Sequence, residues 1–78
     1  MKRVVVYSKP DCHLCDVVKE VIDGVRRRRE FSLEVRNILD DPADYERYKH
    51  AIPVVTVDGR EVARYRLTAA EFEAALGV

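Results

Sequence analysis

Apolar residues in the first part of the chain follow two different rhythms. Val4-Val5-Val6-Tyr7 is an unbroken, largely β-branched run, which predicts a central strand covered on both faces. Ser8-Lys9-Pro10-Asp11 is a connecting loop. Apolar positions then recur at Leu14, Val17, Val18, Val21, Ile22 and Val25, a helical stripe sustained for three turns. Asp16, Lys19, Glu20 and Asp23 form its polar side. The stripe closes on Arg26-Arg27-Arg28-Arg29, cations that complement the dipole at a helix C-terminus. Beyond it, Phe31, Leu33 and Val35 alternate with Ser32, Glu34 and Arg36, predicting a second strand with one buried and one wet face.

Local signals punctuate the second half. Asp40-Asp41-Pro42 supplies an N-cap followed by proline near the first helical position, opening a short helix towards Lys49. Tyr45 and Tyr48, three residues apart on that helix, read as packing contacts with wet hydroxyls. Ile52 to Val57 reads as a third strand with Pro53 near its start. Asp58-Gly59 is a preferred two-residue hairpin turn. Arg60 to Arg66 returns as a fourth strand, whose alternating charges suit an exposed sheet edge. Thr68-Ala69-Ala70-Glu71 is a capping box, with Leu67 and Phe72 as its hydrophobic staple. Phe72, Ala75 and Leu76 bury a last helix that stops at Gly77.

The order β-α-β-α-β-β-α specifies an α/β fold. The first two strands are expected to be parallel through a right-handed crossover. The last two form an antiparallel hairpin, giving a four-stranded mixed sheet with helices on both faces. With 78 residues the chain reads as one domain, 1–78, burying about 60% of its unfolded surface. Its 14 basic and 14 acidic residues balance, so no net field attracts nucleic acid or an anionic membrane. The arginine run therefore reads as a solvated helix end. Met1-Lys2-Arg3 precedes only a short apolar run, too little for a signal-peptide core, and no stretch has membrane-spanning length. These features together predict a cytoplasmic monomer whose cysteines rest reduced and cycle through a transient disulfide.

The two cysteines of the chain form Cys12-His13-Leu14-Cys15. They stand where a strand hands over to a helix, and there unpaired N–H groups and the helix dipole stabilise a thiolate. In such a context C-x-x-C reads as a redox pair. A structural disulfide is the weaker alternative, because a loop this short constrains the unfolded chain little. Disulfide exchange needs a thiolate. Residues at i and i+3 of a regular helix lie about 5–6 Å apart between Cβ atoms, whereas a disulfide needs about 3.5–4.5 Å. An irregular first turn closes that gap. Cys12, in the exposed first turn, is assigned as nucleophile and Cys15, one turn inside, as resolving residue. His13 either tunes the thiolate when protonated or contacts substrates. Asp11 opposes thiolate formation if close, or caps the helix. A zinc reading would use both cysteines with His13 or His50, or a dimer could share a cluster through Cys12. Structural zinc wants four ligands and no second C-x-x-C exists, so no metal, nucleotide or flavin site is assigned.

Tyr7-Ser8-Lys9-Pro10-Asp11-Cys12-His13-Leu14-Cys15, Ile52-Pro53 and the Asp58-Gly59 hairpin, in this order of elements, resemble the glutaredoxin-like branch of the thioredoxin superfamily. The resemblance spans nearly the whole chain. It implies a thioredoxin-like fold and a thiol–disulfide oxidoreductase acting on protein disulfides or glutathione mixed disulfides. Glutathione would serve as co-substrate, or a thioredoxin-reductase-type protein as reductant. Lys9 matches a lysine that contacts a carboxylate of glutathione, although an ordinary exposed loop lysine would look the same. Pro53 matches the superfamily's cis-proline, beside which the Ile52 backbone would pair with an extended substrate chain. The residues by themselves leave Pro53 cis or trans. Departures from the family pattern are specific. Cys-His-Leu-Cys stands for Cys-Pro-Tyr-Cys, and Ala51-Ile52-Pro53 for Thr-Val-Pro. The Gly-Gly and Asp that hold the amine end of glutathione are absent from Ala63-Arg64-Tyr65-Arg66-Leu67-Thr68. That absence motivates a second reading, a dedicated electron donor or redox sensor for one protein partner.

Overall fold

Four strands and three helices account for most of the chain. The structure, a computed structural model, describes residues 1–77. Strand β1 (Arg3–Ser8) leads into helix α1 (His13–Arg26), followed by β2 (Ser32–Asn37). A 3-10 turn (Ile38–Asp40) precedes α2 (Pro42–Tyr48), and β3 (Val54–Val57), β4 (Arg60–Arg64) and α3 (Ala69–Leu76) complete the order. The strands lie side by side as β2-β1-β3-β4. β1 and β2 are parallel, and β3 is antiparallel to both β1 and β4. This is the mixed sheet that the sequence predicts.

Strand alternation divides the core into two layers. Val4, Val6, Val55 and Val57 point to one face, where Val18, Ile22 and Val25 of α1 and Phe72 and Leu76 of α3 cover them. Phe31 and Phe72 meet edge to face with centroids 5.3 Å apart. Tyr7 and Val54 point to the other face and pack with Ile38, Tyr48 and Ala51. Helix α2 is short, so this second layer covers one end of the sheet only. Val5 is therefore half-buried while Val4 and Val6 are sealed. The central strand is covered fully on one face and in part on the other, not on both.

Periodicity overstated burial at three further places. Leu14 and Val17 are 41% and 42% exposed, because α1 buries the narrower stripe Cys15, Val18, Ile22 and Val25. Val35 is 48% exposed, since β2 is an edge strand and α1 covers only part of its inner face. The third strand begins at Val54 rather than Ile52, and the fourth ends at Arg64 rather than Arg66.

The local punctuation stands as read. Asp58 and Gly59 both have positive φ, 51° and 83°, the requirement of a type I′ hairpin. Asp41 caps α2 by accepting the Ala43 N–H at 2.8 Å, with Pro42 in the first turn. Thr68 and Glu71 make both bonds of the capping box. At the other end of α1, Arg28 pairs with Glu73 of α3 at 2.6 Å and Arg29 donates to the Gly77 carbonyl. Half of the arginine run thus fastens two helices together rather than standing free in solvent.

Candidate redox site

Three chain crossings leave the sheet at one end. Tyr7 of β1 is in register with Val54 of β3, and Val54 with Arg64 of β4. The loop after β1, the turn before β3 and the segment after β4 therefore emerge together. They carry Lys9 to Cys12, His50 to Pro53, and Tyr65 to Thr68. Helices α1 and α3 both start at this end, since each follows a strand that finishes there.

Cys12 is the N-cap of α1, with extended backbone (φ −108°, ψ 102°), and its Sγ accepts the Cys15 N–H at 3.2 Å. Its carbonyl accepts the Asp16 N–H at 3.1 Å, the first bond of the helix. A sulfur so placed takes a donor that the helix leaves unpaired. Asp11 is therefore not the cap. It sits one residue earlier at φ 60°, making the sharp bend that turns the chain into the helix. Cys12 and Cys15 are joined as a disulfide with Cα atoms 5.2 Å apart. Cys12 is half-buried, whereas Cys15 has no exposure. The two cysteines thus differ in exposure, Cys12 being open in part and Cys15 sealed.

The other residues read from the sequence lie on segments at this same end of the sheet. Lys9 and His13 are exposed, and among the described residues neither forms an ion pair. Ile52 is half-buried and Pro53 buried, and the bond between them is cis. Among the described residues the Ile52 N–H and carbonyl make no backbone hydrogen bond. Leu14 and Val17 present an apolar surface on the helix that carries the dithiol. No three His, Cys, Asp or Glu side chains converge among the described residues. No helix among them is long and apolar enough to cross a membrane.

Two arrangements here were not read from the sequence. Tyr7 and Tyr48 pack ring against ring below the site, and the Arg36 and Arg47 guanidiniums lie over them at 5.9 and 5.3 Å from the respective centroids. Burial, followed by the neighbouring Tyr48 and Asp44, pushes the Tyr7 phenol above its ordinary pKa. Tyr65, just past β4, bonds to the turn that carries Ile52 and Pro53. The signal that could have marked it is its position within the stretch where glutaredoxins carry glycines, residues suited to positive φ.

Residues 3–77 match the profile of the glutaredoxin-like domain (DUF836). The chain belongs to that family. Among solved structures, this glutaredoxin-like domain is similar to target protein XcR50 from X. campestris, at 30% identity and a TM-score of 0.79 over 94% of this chain and 93% of that one. It is similar to protein Ne2328 from Nitrosomonas europaea at 27% identity and a TM-score of 0.80, covering 94% and 88%. A mutant of the thioredoxin-like protein BC3987 matches at 28% identity and a TM-score of 0.70, covering 97% and 96%. The fold of this glutaredoxin-like domain is thioredoxin-like, and its cysteine pair at disulfide distance fits a redox role.

Proposed function

We propose that the protein is a thiol–disulfide oxidoreductase that reduces protein disulfides or glutathione mixed disulfides through Cys12 and Cys15. The observation that carries this reading is the pairing of a half-exposed Cys12 at a helix start with a sealed Cys15 bonded to it. In the reaction, the Cys12 thiolate attacks one sulfur of the substrate disulfide. A mixed disulfide forms and the other substrate sulfur leaves as a thiolate, which takes up a proton. Cys15 then gives up its proton and attacks the Cys12 sulfur, forming the Cys12–Cys15 bond and releasing the second substrate thiol. Two electrons pass from the dithiol to the substrate, and an external dithiol or two glutathione molecules restore it. The amide that caps Cys12 favours its anion, both as attacking group and as leaving group. Lys9 adds positive potential near that sulfur, His13 tunes it, and the free Ile52 backbone groups receive an extended substrate chain by strand pairing. The domain acts in the cytoplasm as a monomer.

The test is disulfide reduction with glutathione or with a thioredoxin-reductase system. Protein that is inert with both, while its dithiol oxidises and reduces normally, removes the enzymatic reading. A second reading, service to one protein partner, draws support from the missing Gly-Gly-Asp element and from the exposed Leu14 and Val17. Trapping with Cys15→Ser separates the two: one captured protein supports the dedicated role, and a broad mixture removes it.

A further inference from the structure

The turn that carries Ile52 and Pro53 is tied to β4 through one residue. The Tyr65 hydroxyl donates to the His50 carbonyl at 2.6 Å, and the Tyr65 N–H donates to the Pro53 carbonyl at 2.9 Å. The two acceptors flank Ala51 and Ile52, so one side chain and one backbone group of Tyr65 span the turn. A third bond, Ala51 N–H to the Tyr48 carbonyl at 2.8 Å, anchors its start to the end of α2.

Tyr65 makes these bonds from an unfavourable conformation. Its φ is 66°, and the Arg66 N–H reaches back across it to the Arg64 carbonyl at 2.7 Å. That is a γ-turn with positive φ at its centre, a rare and strained form, and a genuine outlier for a bulky side chain. Residues held so persist only when their surroundings over-determine them, and they concentrate at binding and catalytic sites. Core packing does not account for a tyrosine here, because the residue is 46% exposed and belongs to neither buried cluster. What it contributes is the pair of hydrogen bonds.

We infer that Tyr65 is a positioning residue, a clasp that holds the 50–53 turn in the shape that offers the Ile52 N–H and carbonyl to an extended polypeptide carrying the target disulfide. The inference rests on the oxidoreductase reading and adds to it the residue that holds the peptide-binding turn in place. A turn ordered beforehand spares the complex the entropy of ordering it on binding. Loss of the clasp therefore weakens substrate binding and leaves the sulfur chemistry alone.

Pre-reduced wild-type, Tyr65→Phe and Tyr65→Gly proteins are mixed with increasing insulin, and single-turnover rates are followed. Tyr65→Phe is expected to raise the half-saturating insulin concentration about three- to tenfold, the range of one hydrogen bond, with the limiting rate and the Cys12/Cys15 redox potential held. Tyr65→Gly removes the phenol and relieves the positive φ, so it should show at least the same rise without a lower thermal midpoint. Wild-type protein that reduces neither insulin nor bis(2-hydroxyethyl) disulfide overturns the oxidoreductase reading and the clasp with it. Active wild-type protein with an unchanged half-saturating concentration in Tyr65→Phe overturns the clasp alone. So does a rise accompanied by an equal loss of limiting rate or a shifted potential.

Discussion

The Tyr48 ring lies against the Tyr7 ring, with centroids 4.3 Å apart and planes tilted by 33°. Tyr7 stands next to the end of β1, which delivers the dithiol loop, and Tyr48 ends α2, which delivers the Ile52–Pro53 turn. This one contact therefore couples the two segments on which the site is built. Tyr48→Ala should cost about 3 kcal/mol of stability, at the lower end for a large buried aromatic. Tyr48→Phe should stay within about 1 kcal/mol, since the Tyr48 hydroxyl makes no hydrogen bond to another described residue. Urea titration of both variants checks the pair of values.

Exchange chemistry sets a second expectation. Cys12→Ser should abolish turnover, because no other thiol reaches the substrate. Cys15→Ser should still attack and then stall as a mixed disulfide. The stalled adduct is visible as a mass increase by intact-protein mass spectrometry, and a reducing agent should remove it. An adduct on Cys12→Ser instead would reverse the assignment of the two roles.

Burial separates two apolar positions that look alike in the sequence. Phe72 has no exposure and sits edge to face with Phe31, so Phe72→Ala should cost about 3–5 kcal/mol. In a domain this small that approaches the whole stability, and the variant should be largely unfolded by circular dichroism at 25 °C. Val35 is half-exposed on an edge strand, and Val35→Thr should change the unfolding free energy read by urea titration by no more than about 0.5 kcal/mol.

The start of α3 gives a further measurable term. Thr68 Oγ1 accepts the Glu71 N–H at 3.1 Å, and Glu71 Oε1 accepts the Thr68 N–H at 2.9 Å. Thr68→Ala removes the cap and should cost about 1 kcal/mol, read as a lower thermal midpoint. Thr68→Ser keeps the hydroxyl and should restore most of it.

Acid should weaken the fold in a defined window. The Thr68 N–H holds the Glu71 carboxyl below its ordinary value, Arg28 does so for Glu73, Arg64 for Glu61, and the Arg3 N–H followed by Lys2 for Asp58. A carboxyl depressed on folding contributes stability that is full above its unfolded pKa and lost as pH falls through the folded one. The unfolded values are 4.5 for glutamate and 3.8 for aspartate, so the thermal midpoint should be level near pH 6 and decline below about pH 4.5. Glu73→Gln should flatten part of that decline. Tyr7 acts in the opposite range: its raised phenol contributes stability that is full below pH 10.0 and lost as pH rises through the folded value.

What the sequence made legible was whatever depends on neighbours a few residues apart. Asp58-Gly59, the Asp41-Pro42 start and the Thr68–Glu71 box each carry their own hydrogen-bonding logic, and each stands in the structure as read. The cysteine pair was legible for the same reason, being one helix turn long. Burial was less so. The apolar stripe through Leu14 and Val17 indicates a face of a helix, but the spacing along one helix cannot say whether anything lies against that face. Val35 fails likewise, because alternation cannot reveal that β2 lies at the sheet edge. Tyr65 was hidden by a conflict between levels: a bulky residue argues locally against positive φ, and only the tie to the neighbouring turn overrides it.

The ion pair between Arg28 and Glu73, with the bond from Arg29 to the Gly77 carbonyl, sits at the far end of α1 from Cys12. Fourteen helical residues intervene, a span of about 20 Å. The sulfur bridge can thus open and close at one pole while the footing of the two helices stays fastened at the other. Opening that bridge would rework the tip of the molecule and leave its foundation undisturbed.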